Sequence, residues 1–87
     1  MSRNTVIAAR VKDLIARQFA IDRDRLNESA RLFEDLDLDS MDSTELVMAL
    51  EMEFGGDVPD GDITRIKTVG DAIQAVLTHC APSGRVV

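Results

Sequence analysis

Apolar residues in this chain recur three or four positions apart and nowhere alternate, so the elements they mark are predicted to be helices rather than strands. From Thr5 to Phe19, Val6, Ile7, Val11, Leu14, Ile15 and Phe19 form one stripe, with Asn4 or Thr5 expected as the cap. The pattern breaks from Ala20 to Asp39, where Asp22, Asp24, Asn27 and Ser29 favour a long structured loop. Ile21, Leu26, Leu32, Phe33, Leu36 and Leu38 are expected to pin that loop to the core. A second helix is predicted from Ser40 to Phe54, stopped by Gly55-Gly56. Val58-Pro59 then makes a tight connection, and Asp60–Ile66 has room for one or two helical turns. A last helix, from about Val69 to Thr78, turns Val69, Ala72, Ile73, Val76 and Leu77 inward. Pro82 and Gly84 mark residues 80–87 as a flexible tail.

The resulting expectation is an all-α fold: a small four-helix bundle with one short helix and a long loop between the first two helices. With 87 residues, the chain is read as a single domain with an ordered core over about 4–79. Aromatic residues make up only 3% of it. A core of Val, Ile, Leu, Ala and Met suits packed helices, and large catalytic pockets usually need more chain.

Charge narrows the partners. The formal net charge is -6, which disfavours binding to nucleic acid phosphate or anionic lipid. Between Glu34 and Asp62 stand 11 acidic residues and no Lys or Arg, while seven of the ten basic residues precede Glu34. A solvated helix face is the ordinary explanation of such a run. A segment lacking any cation of its own carries self-repulsion, however, and is better suited to steering basic protein partners. No run is long enough to span a bilayer, and no secretory-type apolar stretch stands near the first residues. The single cysteine, Cys80, has no internal partner for a disulfide. Together these features point to a monomeric cytoplasmic protein without membrane insertion.

The second helix refines that expectation. At about 100° per residue, Leu46, Val47, Leu50 and Phe54 share one side, the predicted core side. Met41, Glu45, Met48 and Met52 share the opposite side. Flexible, polarizable Met suits a surface that must fit several partners, although single exposed Met residues carry no meaning.

Ser40 stands where the long loop meets this helix. A helix start offers free backbone N–H groups and the positive end of a dipole, favourable for a phosphodiester. On its own, the same position is better explained by capping through Asp39 or Ser40, with Asp42 near the first turn.

The stretch from Leu36 to Phe54, with Asp39-Ser40-Met41 at its centre, closely resembles the acyl carrier protein family. So do Val11-Lys12, Phe33-Glu34-Asp35-Leu36, Val58-Pro59-Asp60 and Ile66-Lys67-Thr68-Val69, and the resemblance extends from about Val6 to Leu77. It implies that a phosphopantetheinyl transferase, using coenzyme A and magnesium, joins a 4'-phosphopantetheine arm to Ser40 Oγ. Acyl intermediates would then ride on the arm as thioesters, delivered to loading, condensing, reducing or transferase enzymes of fatty acid or related lipid biosynthesis. The chain itself would be a non-catalytic carrier. Asp39, Met41, Asp42, Glu45, Met48, Glu51 and Met52 are the implied docking residues for basic patches on those enzymes. Leu50, Val58, Ile66, Ala72 and Ile73 are candidates to line an acyl cavity, a role that plain core packing satisfies equally. Asp37-Leu38 stands where the family often has a Gly-containing pair, Ser43-Thr44 replaces a common Thr-Val pair, and Met52 replaces another acid. These departures leave open a dedicated carrier for a polyketide, aminoacyl or other specialised pathway. Asp39 before the serine speaks against the usual peptidyl carrier pattern.

The rival readings are weaker. Asp35, Asp37 and Asp39 are spaced like the opening of an EF-hand, but Ser40 and Leu46 stand where that loop needs Gly and a bidentate acid, so no metal site is expected. His79 and Cys80 are adjacent and point apart on a helix, a poor catalytic pair. An unmodified acidic helical adaptor would keep the Met and acid stripe but would not need Ser40.

Overall fold

The computed structural model of the protein describes residues 3–80, and the expected tail beyond Cys80 lies outside them. Four helices follow one another: α1 (Arg3–Phe19), α2 (Ser40–Phe54), α3 (Asp60–Ile63) and α4 (Val69–Ala75). The last continues without a break into a wider π-type turn, Val76–Cys80. Helix α1 begins before the caps expected at Asn4 or Thr5, which therefore lie inside it.

The helices pack through the residues that the spacing places on their inner faces. Ile7, Val11, Leu14 and Ile15 of α1 meet Leu46, Val47, Leu50 and Phe54 of α2 and Val69, Ala72, Ile73 and Val76 of the last segment in one core. Val6 is exposed, contrary to expectation, because it precedes Ile7 by about 100° on the helix and so turns away from that core. Arg10 clamps α1 to α2 from the rim. Its guanidinium lies 3.0 Å from Glu53 Oε2 and 4.7 Å from the centre of the Phe54 ring.

The loop between α1 and α2 is held by its own bonds. Ala20 ends α1 in the left-handed conformation, at φ 56, and the Ile21 N–H donates back to the Ala16 carbonyl at 3.1 Å. A 3₁₀ turn follows at Arg23–Arg25. The Leu32 N–H then donates to the Lys67 carbonyl, and the Val69 N–H to the Ala30 carbonyl, stapling the loop to the α3–α4 connection. Leu26, Leu32, Leu36 and Leu38 are buried as expected, and Ile21 is half-buried. Phe33 is exposed instead. It lies with Leu32 in the hydrogen-bonded turn over residues 32–36, in which Leu32 and Leu36 take the buried places.

Helix α3 is a single turn, shorter than the span available to it. It is tied to the chain's last described turn by His79 Nε2, 2.7 Å from Asp62 Oδ2. Cys80 is buried in that turn. No helix among the described residues is long and apolar enough to cross a membrane.

Candidate functional site

Helix α2 starts at Ser40 because Asp39 caps it. The Asp39 backbone is extended, and its carboxylate accepts the Asp42 N–H at 2.9 Å. The Asp42 carboxylate returns the favour to the Asp39 N–H at 3.1 Å, closing a reciprocal capping box worth about 1 kcal/mol. Capping therefore belongs to Asp39 and Asp42, and Ser40 is left as the first residue of the helix proper. Its side chain is exposed, and its hydroxyl makes no hydrogen bond among the described residues.

The chain reaches this point through a second left-handed residue. Asp37 sits at φ 60, a conformation open to Gly and tolerated by Asp. The Leu38 N–H bonds the Leu32 carbonyl at 2.9 Å, which folds the segment before Asp39 back on itself and delivers Ser40 to the surface.

The expected stripe is exposed. Met41, Met48 and Met52 are 71%, 56% and 86% accessible, and Glu45 stands among them. Three large apolar side chains in line on one exposed face are unusual for a surface with nothing to bind. Glu51 lies about 80° from Met41 around the axis, at the margin of the stripe. Its carboxylate accepts the Val58 N–H at 2.8 Å, so it also anchors the connection to α3.

Pairing within the acidic segment comes from outside it. Arg10 meets Glu53, Arg31 meets Asp35 at 3.5 Å, and His79 meets Asp62. Asp35 is held below the usual carboxylate range, chiefly by accepting the Arg31 backbone N–H at 2.8 Å, against a smaller opposing effect of burial. Glu45 has no ion-pair partner among the described residues. The spacing of Asp35, Asp37 and Asp39 does not translate into converging ligands: Asp35 turns to Arg31 and Asp39 to Asp42. No group of three or more metal-ligating side chains gathers among the described residues.

The five cavity candidates, Leu50, Val58, Ile66, Ala72 and Ile73, are all buried in the common core. Ser43 is buried with them, which the assignment of core positions on α2 did not include. The signal was available: it lies only about 20° from Leu50 around the helix. His79 bonds Asp62 rather than forming a pair with Cys80, whose thiol is pushed up by burial and then by the Glu51 and Asp57 charges.

The family model described as "Phosphopantetheine attachment site" matches residues 9–76. The acyl carrier protein of Lactobacillus acidophilus is 44% identical over 70 residues, covering 80% of this chain and 88% of that protein. Its counterpart in Rickettsia canadensis is 41% identical over 76 residues, covering 87% of this chain and 88% of that one. The chain belongs to the acyl carrier protein family. The group that the carrier fold serves is phosphopantetheine, and the matched span includes the loop, α2 and the core side of α4.

The site's chemistry fits that group. A phosphodiester at the start of a 15-residue helix meets the positive end of the dipole and the first-turn N–H groups of Ser40 and Met41, which the capping box does not use. Asp39 and Asp42 stand close by, but each turns an oxygen toward the other's backbone N–H. An exposed hydroxyl and one orphaned buried hydroxyl, Ser43 Oγ, lie one turn apart on the same helix.

Proposed function

We propose that Ser40 Oγ is the attachment point of the 4'-phosphopantetheine arm and that the protein is a non-catalytic carrier. The observation that carries this reading is the exposed, unengaged Ser40 hydroxyl at the start of α2, beside a capping box that needs no help from it. A phosphopantetheinyl transferase, with coenzyme A as donor and magnesium, forms the phosphodiester on Ser40 Oγ and releases the nucleotide half. The bound arm supplies a thiol that holds an acyl group as a thioester, electrophilic enough for transfer or condensation.

The chain's own residues present and shelter the cargo. Met41, Glu45, Met48 and Met52 form the docking face, with Asp39, Asp42 and Glu51 at its margins. Adaptable apolar contact flanked by negative charge suits basic patches on several enzymes in turn. The aliphatic character of Leu50, Val58, Ile66, Ala72 and Ile73 favours an alkyl cargo, hence fatty acid or related lipid synthesis in the cytoplasm. The protein acts as a monomeric single domain in this reading.

Incubation with coenzyme A and a broad-specificity transferase is expected to add one phosphopantetheine by intact mass, and Ser40→Ala is expected to abolish it. Folded wild-type protein that gains no mass would instead indicate an unmodified adaptor. Cargo released from protein isolated from its source cell tests the pathway: straight acyl chains support the lipid assignment, and an amino acid or polyketide overturns it.

A further inference from the structure

Methionine is a common gap-filler of protein cores, yet the core here contains none. Of the chain's four methionines, Met1 lies outside the described residues. The other three, Met41, Met48 and Met52, all stand on the outer side of α2, each more than half accessible. At about 100° per residue they fall within an arc of about 40°, spread over about 16 Å of the axis. Leucine would give the same side of the helix as much apolar surface. What methionine adds is a soft sulfur atom that takes up oxygen.

The surroundings leave that sulfur open to an uncharged oxidant. Every charged residue between Glu34 and Asp62 is acidic, which repels anionic oxidants but not hydrogen peroxide. Glu45, in the middle of the stripe, draws no cationic side chain across it among the described residues. The remaining described sulfur, that of Cys80, is buried, and burial with the Glu51 and Asp57 charges keeps its thiol protonated. The exposed thioethers are therefore the accessible targets.

We propose that Met41, Met48 and Met52 are sites of reversible oxidation by peroxide, and that their sulfoxides switch off docking through α2. This rests on that face as the docking surface. The sulfur lone pair takes one oxygen from hydrogen peroxide, so an S–O bond forms as the O–O bond breaks. The departing hydroxide collects the transferred oxygen's proton and leaves as water. Sulfur loses two electrons and peroxide gains them. The product is polar where the thioether was apolar, and a docked enzyme would have to strip water from it. A dithiol reverses the step through sulfoxide reductases, becoming a disulfide as the oxygen leaves in water.

The test uses the full chain without an arm. Protein is treated with hydrogen peroxide, catalase removes the excess, and dithiothreitol reverses thiol oxidation while leaving sulfoxides in place. Peptide mapping is expected to find one added oxygen at each of the three methionines, at rates within about threefold of those in urea. Rates further below those in urea would show the sulfurs shielded and overturn the proposal. Loading from coenzyme A by a broad-specificity transferase then reads docking. Oxidation is expected to raise the KM for the protein about tenfold with kcat little changed. Reductases for both sulfoxide epimers, with a dithiol, are expected to restore it.

Two sets of variants separate the possible failures. Met48→Ala and Met52→Ala, never oxidised, test the docking face itself, and an unchanged KM in both would refute that reading. If they raise KM but oxidised wild type loads like reduced wild type, the docking face stands and the oxidation proposal falls. The triple variant Met41→Leu, Met48→Leu, Met52→Leu is compared only with itself, and peroxide is expected to leave its KM where it was. An equal rise in that variant would place the effect elsewhere in the chain and overturn the proposal. So would loss of helical circular dichroism in the oxidised wild type, which would mean unfolding rather than lost docking.

Discussion

His79 Nε2 lies 2.7 Å from Asp62 Oδ2, and this contact ties the single-turn helix α3 to the last described turn, Val76–Cys80. Both side chains are partly covered, at 22% and 38% accessibility, so the contact is less screened than a fully exposed pair. Asp62 and His79 also stand on the rim of a shallow cleft with Arg65, Ile66 and Gln74. A double-mutant cycle over His79→Ala and Asp62→Ala, followed by urea unfolding, is expected to show a coupling of about 0.5–1 kcal/mol. Additive single effects would mean that α3 is held by apolar packing, of its own Ile63 and of the flanking Val58 and Ile66.

Gly56 is where the chain leaving α2 passes closest to that same final turn. A Cβ built there would stand 2.6 Å from the His79 carbonyl oxygen and 2.9 Å from the Cys80 Cα, both backbone atoms that cannot step aside cheaply. Its φ of 150 adds strain for any L side chain. Gly55, at φ 72, has open space around it. Gly55→Ala is therefore expected to cost about 1–3 kcal/mol, from the unfavourable backbone at φ 72 and ψ 114 alone. Gly56→Ala should cost clearly more, measured by the same urea transitions, with the loss in the packing of residues 76–80.

The contrast between these two glycines shows what the sequence could and could not disclose. As a pair they announce the end of α2, and the helix does end at Phe54. Their different duties depend on His79 and Cys80, more than twenty residues away, and no local pattern reveals them. The same division runs through the site. Ser40 at the helix start and the exposed line of Met41, Met48 and Met52 follow from helical periodicity, a local property. The anchoring of Val58 by Glu51 and the bond of His79 to Asp62 are tertiary and were not legible. Phe33 and Val6 were assigned by hydrophobicity although each sits one position from the inward-facing residue. Ser43 was passed over for the opposite reason, a polar residue at a position whose angle is that of the core.

Ala20 ends α1 in a conformation that suits glycine better. At φ 56, its Cβ opposes the left-handed backbone that lets the Ile21 N–H reach the Ala16 carbonyl. The strain is about 1–2 kcal/mol, of which the greater freedom of Gly in the unfolded chain cancels about half. Ala20→Gly is thus expected to raise the unfolding free energy by about 0.5–1 kcal/mol. The residue is exposed, so no packing loss competes. A lower denaturation midpoint in this variant would show that the turn is held by other means.

Cys80 links stability to alkaline pH. Its thiol is buried beneath the α2–α3 connection, and burial, followed by the Glu51 and Asp57 carboxylates, pushes its pKa above the ordinary value. The folded state therefore holds the thiol proton more tightly than the unfolded state does. Its contribution to stability is fully present below the unfolded pKa, about 8.5, and is lost as pH rises through the folded value. Wild type should lose unfolding free energy more steeply than Cys80→Ala between pH 8 and pH 10, even though the Ala variant starts lower because of the space it leaves. The same burial denies the thiolate to reagents. Iodoacetamide at pH 8 should label the folded protein at least about tenfold more slowly than the protein in urea, since both thiolate fraction and access are reduced. Equal labelling rates would show that the final turn opens freely, and the alkaline difference between the two proteins should then vanish as well.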